Sequence, residues 1–389
     1  MSEAPEIGRT LRQIRLARGK SLAVIAGLAG ISVSYLSRLE SGERALDRRS
    51  LIVALANALE VAPSELIELP VPAPGDGNTN GAVQSLRVAM MSVSRGLPGG
   101  QLAKLDELRD RAHAVERADY HQRGVLIPSL VRDVHTTLAA GHDRRDLLEL
   151  AVMLHAQTVR GWLYIVGAPL DLRWQAATLA RQAAEDLEDP TALGVVAWAS
   201  VVEMLASGAF DLAQVELDAA AVPTDTSEGL QLNGMLALSH ALVAAADNRL
   251  GDIAAPLEHA ADIAQRTGQG NAFRMGFGPV NVGLWRIASA LEAGDADTAI
   301  EVAQTLHPEE NPSRERQATF WMDYGRALAG VRRRDEAVKA LRKAESLHPL
   351  RVLRNRFARQ TIAELVSHAK RDAVGRELRG MAYRAGLHV

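Results

Sequence analysis

After residue 81, apolar residues return every three or four positions, and no alternating apolar and polar stretch interrupts them. That spacing lines one face of a helix and does not fit a half-buried strand. Short breaks recur along the whole length, among them Leu97–Gly100, Gly167–Pro169, Asp189–Pro190, Asn248–Asp252, Gly294–Asp295 and Val331–Arg334, and each separates segments of helical length. A short helix cannot bury its apolar face alone, so helices joined by tight turns must stack as antiparallel hairpins. The pattern predicts an all-α chain, with residues 82–389 forming a superhelical array of helical hairpins.

The first 69 residues form a separate unit. The stretch PVPAPGDGNTNG (70–81) follows, with three prolines, three glycines and no apolar period, and it reads as a Pro/Gly linker. At 389 residues the chain exceeds what one small core holds, which agrees with this division. Charge is unevenly placed: +1 over residues 1–70, −13 over 71–331 and +9 over 332–389, with +5 concentrated in residues 6–49. A basic start, an acidic middle and a basic end imply different partners for different parts. The absence of cysteine excludes disulfides, thiolate zinc sites and cysteine nucleophiles, and points to a reducing compartment. No apolar signal core opens the chain, and no apolar run reads as a membrane span, so the expectation is a cytoplasmic protein with no membrane partner.

Within the first unit, GISVSYLSRLESGER (30–44) is a helix-sized stretch whose polar positions before Glu40 are small hydroxyls, one tyrosine and one arginine rather than the better helix formers Glu and Lys. Ser21 caps a short helix ending near Ala29. Gly30 makes a turn needing positive φ, and Ser32 caps a second helix running to Ser41, where Gly42 stops it. A preceding helix over Ile7–Arg18 supplies Ile7, Leu11 and Ile14 to the core, while Arg48–Leu59 and Pro63–Ile67 close it. Two short helices packed steeply across a glycine turn form a helix-turn-helix.

Residues 6–69 resemble the Cro/lambda-repressor, or xenobiotic-response-element, family of DNA-binding domains almost throughout. The resemblance implies a five-helix domain bound to double-stranded DNA through the helix that begins at Val33. It also implies a structural pair between Arg15 and Glu40. Many members carry Gln one place after the cap of the second helix; Leu22 stands here, so the operator preference does not carry over. In such a helix the N-terminal residues face base edges, here Val33, Ser34 and Tyr35, with Arg38 one turn on. Ser21, Ser32, Ser37 and Arg44 are placed to hold phosphates or cap the helices beside them. Arg12, Arg18, Arg48 and Arg49 are further backbone contacts or a solvated basic surface. One such domain covers little DNA, so specific binding calls for a homodimer on a two-fold site, its half-sites about one helical turn apart.

Near the other end, Trp321 stands four places before Gly325, while Ala337, Leu341, Ala344 and Pro349 follow Gly325 by twelve, sixteen, nineteen and twenty-four. This hairpin resembles the tetratricopeptide repeat, with weaker echoes at 292–306 and 206–220. A helix-turn-helix joined to such repeats resembles regulators of two groups, the peptide-responsive quorum sensors of Gram-positive bacteria and a set from actinobacteria, and the alanine- and arginine-rich usage is closer to the second. The resemblance implies a concave groove that takes a peptide, a small molecule or a protein. Asn281, Arg274, Trp285 and Tyr324 are its candidate lining, and Trp321 is assigned to the repeat core. The arginines between 351 and 379 are read as covering an acidic face of the middle repeats.

No nucleophile elbow, phosphate loop or paired-carboxylate motif is present, and the histidines lack metal-ligand spacing. The expected function is therefore a dimeric, non-enzymatic transcriptional regulator without cofactor or metal. The alternative is a repeat scaffold that uses DNA only for localisation.

Overall fold

The computed structural model describes residues 6–67, 77–370 and 372–387. Among the described residues the chain is all-α, without a strand. The N-terminal unit consists of α1 (Glu6–Ala17), α2 (Leu22–Leu28), α3 (Val33–Ser41), α4 (Arg49–Leu59) and α5 (Pro63–Ile67). Ser21 accepts the N–H of Val24 and Ser32 that of Tyr35, so both serines cap as their position demands. Gly30 turns the chain at φ 67°, and α2 and α3 meet at a bend of 108°. Leu11, Ile25, Leu36, Leu55 and Leu59 fill the core.

The array follows as α6 (Gly77–Ser94), α7 (Leu105–Arg117), α8 (Tyr120–Ala139), α9 (Arg144–Met153), α10 (Arg160–Ile165), α11 (Leu170–Leu187), α12 (Pro190–Ser207) and α13 (Phe210–Asp218). It continues as α14 (Ser227–Ala246), α15 (Ala254–Thr267), α16 (Pro279–Ala293), α17 (Ala296–Thr305), α18 (Arg314–Gly330), α19 (Arg334–Leu347), α20 (Pro349–Leu353), α21 (Arg356–Ser367) and α22 (Ala373–Arg384). Between α9 and α10 one π-helical turn runs from Leu154 to Val159. The stretch assigned to a linker is shorter than its composition implies. Residues 77–81 are the first turn of α6, drawn into helix because Leu86, Ala89 and Met90 further along it are buried in the array's core. Residues 70–76 lie outside the described residues.

Antiparallel neighbours such as α11 with α12, α14 with α15, α16 with α17 and α18 with α19 form the hairpins. In the last of these, a β-carbon on Gly325 would sit 2.9 Å from the Leu341 side chain, so only glycine lets the pair approach this closely. The expectation that no stretch is long and apolar enough to cross a membrane fails on length and composition: Pro190–Ser207 and Ser227–Ala246 both are. Their apolarity has a local cause. Both are inner helices of the array, with 61% and 83% of these stretches buried, and a helix covered all round is hydrophobic all round.

The array curls back on itself, bringing α8 and the end of α10 to the residues on either side of α20. Tyr120 Oη lies 2.8 Å from His348 Nε2, and Arg354 donates to the carbonyl of Val166 at 3.3 Å. The N-terminal unit sits against this closure. Phe357 of α21 is buried within the core of the helix-turn-helix unit, and Val53 lies beside Gly208 at the end of α12.

Candidate nucleic-acid interface

The face of α3 is built from its caps outward. Ser32 fixes the N-terminus, and Leu36 and Leu39 turn inward at 0% and 2% exposure. That orientation leaves Val33, Ser34 and Ser37 on the opposite, exposed side, with Ser32 and Ser21 beside them. No acidic residue stands on α3 before Glu40. Glu40 itself is withdrawn: Arg15 Nε donates to its Oε1 at 2.5 Å and Arg15 Nη2 to its Oε2 at 2.8 Å, with both side chains buried. A bidentate pair of this kind ties α1 to the C-terminal end of α3 and keeps the carboxylate off the outer face. Helix N-terminal N–H groups and free hydroxyls on a surface without acids can accept phosphates and base edges.

Three of the residues expected on this face are placed differently from the rest. Tyr35 is half-buried against the domain core, where burial pushes its hydroxyl above the ordinary phenol range and Arg48 is its hydrogen-bond partner. Its position in the first turn of α3 directs it back into the fold rather than outward. Arg38 is half-exposed and donates to the Ser34 carbonyl at 3.3 Å, so it lies along the helix next to the exposed serines. Arg44 faces Glu364 of α21 at 3.5 Å and so is turned toward the array.

The loop after α3 is where the two parts join. Ala45 N–H donates to Glu364 Oε2 at 2.9 Å, Arg326 of α18 donates to the Asp47 carbonyl at 3.2 Å, and Arg49 N–H donates to Glu292 Oε2 of α16 at 2.9 Å. The Arg49 guanidinium pairs with Glu292 as well. Reading Arg49 as solvated or as a DNA contact is therefore corrected: its side chain is 12% exposed and spans the junction. Burial holds the carboxyl groups of Asp47 and Glu364 above their usual range, against the pull of Arg326 and Arg48 on the first and of the Ala45 amide and Arg44 on the second. Sequence reading missed this junction because its partners lie more than two hundred positions apart and each looks like an ordinary surface charge.

The four residues proposed to line a groove have separate partners in the structure. Asn281 is 0% exposed and donates to Met235 Sδ at 3.3 Å between α16 and α14, so it faces a core, not a groove. Arg274 pairs with Glu116 and donates to the Met153 carbonyl at 3.0 Å, bracing α7 against the π-helical turn. Trp285 packs on the larger core cluster, whereas Tyr324 packs with Phe320 and Trp321 on a second one. The C-terminal arginines reach both side chains and main chain. Arg351 faces Glu315 at 3.6 Å, Arg354 and Arg359 donate to the main-chain carbonyls of Val166 and Ala385, and Arg371 lies outside the described residues. Among the described residues no group of three or more His, Cys, Asp or Glu is gathered as a metal site.

No curated protein and no solved structure matches the chain. Residues 6–69 match the family model of a helix-turn-helix domain, and the N-terminal part of this chain is accordingly a helix-turn-helix domain, the mark of a DNA-binding regulator.

Proposed function

We infer that the protein is a sequence-specific transcriptional regulator acting as a homodimer in the cytoplasm, without enzymatic activity. Its array, of tetratricopeptide type, senses a peptide, small-molecule or protein signal. The observation that carries this reading is the acid-free, exposed face formed by Ser32, Val33, Ser34 and Ser37, with Arg38 beside it, on a domain clamped to the array through the loop that follows α3. A signal bound by the array shifts DNA affinity by as much as it discriminates between two placements of that clamped domain.

The test is selection of bound sequences from random duplex DNA, followed by salt titration of the winner. A two-fold symmetric site with half-sites about one helical turn apart is expected, with affinity falling steeply as salt rises. Recovery of no preferred sequence, at low or physiological salt, overturns the reading.

A further inference from the structure

Where the array closes on itself, arginines from distant parts of the chain meet around two aromatic rings. The guanidiniums of Arg173 (α11) and Arg351 (α20) lie over the ring of Tyr164 (α10) at 5.5 and 5.1 Å. Those of Arg49 (α4) and Arg356 (α21) lie over the neighbouring Phe357 at 5.1 and 4.4 Å. The carboxylates in reach are already engaged, Asp323 among them, which acts on Arg351 while it pairs with Arg326, a third arginine over Phe357. Glu292 is held by Arg49, and Glu203, fully buried, serves both Arg160 and Arg173. Arg351 has Glu315 at 3.6 Å, and the carboxylate that acts on Arg356 is again Glu292, which Arg49 already holds. Clustered guanidiniums withdrawn from water repel one another unless an anion offsets them. The local potential is visible on Tyr164. Burial pushes its hydroxyl upward, yet Arg351, Arg49, Arg173 and Arg356 together outweigh burial and bring it below the ordinary phenol range. On Arg356, burial and the charge of Arg49 lower the guanidinium to about 9.

The cluster still reaches solvent, since Tyr164 and Arg356 are half-buried and the side chains of Arg173 and Arg351 are each 14% exposed. Guanidinium forks match the paired oxygens of phosphate and carboxylate groups. We propose that this arginine cluster is a binding site for a small multivalent oxyanion, held by Arg173, Arg351 and Arg356 beside Tyr164. The inference rests on the reading of the array as the sensing part and names the chemistry of its signal. An anion seated there also lies next to Arg49, the residue by which the helix-turn-helix domain grips Glu292, so its charge competes with that grip.

The probes are pyrophosphate and citrate, titrated calorimetrically into the full chain without DNA, with sodium chloride at matched ionic strength as the blank. At least one is expected to bind saturably. Tighter binding of pyrophosphate marks a phosphate-bearing signal, and tighter binding of citrate a polycarboxylate. Arg356→Gln or Arg351→Gln is expected to weaken the better probe by about tenfold or more, whereas Arg145→Gln, at an exposed position of α9, leaves it unchanged. Because Arg356→Gln relieves crowding, its thermal transition at low salt and without probe is expected at or above that of the unsubstituted chain, and a lower one counts against the site. The proposal is overturned if neither probe saturates, or if both variants bind as the unsubstituted chain does. Since no DNA is present, a failure here leaves the DNA-binding reading standing, and a failed DNA selection leaves this site standing.

Discussion

Glu364 accepts the backbone N–H of Ala45 at 2.9 Å although the two lie 319 positions apart, and Glu292 does the same for Arg49. Two carboxylates of the array thus hold both ends of the loop that follows α3. Glu292 is the more deeply buried, and its removal leaves Arg49 without a counter-charge at the junction. Glu292→Ala is expected to cost about 3 kcal/mol or more, the usual penalty for breaking a buried pair. Urea denaturation of the full chain measures that loss. Hydrogen exchange locates it: the amides of Ala45 and Arg49 lose protection while those of α2 keep theirs. Unchanged protection at both amides would show that the junction is held by something else.

Arg15 and Arg38 separate folding from recognition. Arg15→Ala leaves Glu40 buried and unpaired, so a loss of about 3 kcal/mol from the helix-turn-helix domain is expected. Arg38→Ala removes a half-exposed side chain that hydrogen-bonds to its own helix, so stability stays within about 0.5 kcal/mol of the unsubstituted chain in a thermal melt. Affinity for the selected DNA site is nonetheless expected to fall about tenfold or more in Arg38→Ala. Full DNA affinity in that variant removes Arg38 from the interface.

Local features of this fold are legible in the sequence because their causes are local. The caps at Ser21 and Ser32, the turn at Gly30, the stop at Gly42 and the close approach at Gly325 each follow from one residue and its immediate spacing. The Arg15–Glu40 pair, 25 positions apart, is reached through resemblance rather than from spacing. What escapes is long-range. Phe357 reads as one more array residue, yet it completes the core of the N-terminal domain, and Asn281 reads as a groove residue, yet Met235 covers it. Nothing near either position in the chain records which distant helix will lie against it.

Oligomeric state bears on the DNA reading directly. A single helix-turn-helix domain covers little of a duplex, so the proposed function expects two copies on one site. Analytical ultracentrifugation at micromolar concentration is expected to give a dimer alone or on the selected DNA. A monomer under both conditions contradicts the homodimer.

The strongest pH dependence is expected from a pair inside the array. His135 Nε2 of α8 lies 2.8 Å from His155 Nε2 in the π-helical turn, one ring donating and the other accepting, an arrangement that is lost once both rings are protonated. Burial lowers His135 from 6.5 to about 4, and burial together with His135 holds His155 well below 6.5 as well. For a base depressed in the folded state, the unfolded chain binds more protons between the two values. Stability is therefore intact above pH 6.5 and is lost as pH falls toward 4. For His135 alone the loss is about 2 kcal/mol at pH 5, and His155 adds to it. The measurement is the urea midpoint of the full chain between pH 7.5 and 4.5, compared with His155→Leu. Whatever its stability at pH 7.5, the variant has one fewer depressed base and therefore a shallower slope, His135 keeping the shift that its own burial causes. Parallel slopes in the two proteins would place the acid sensitivity elsewhere in the chain.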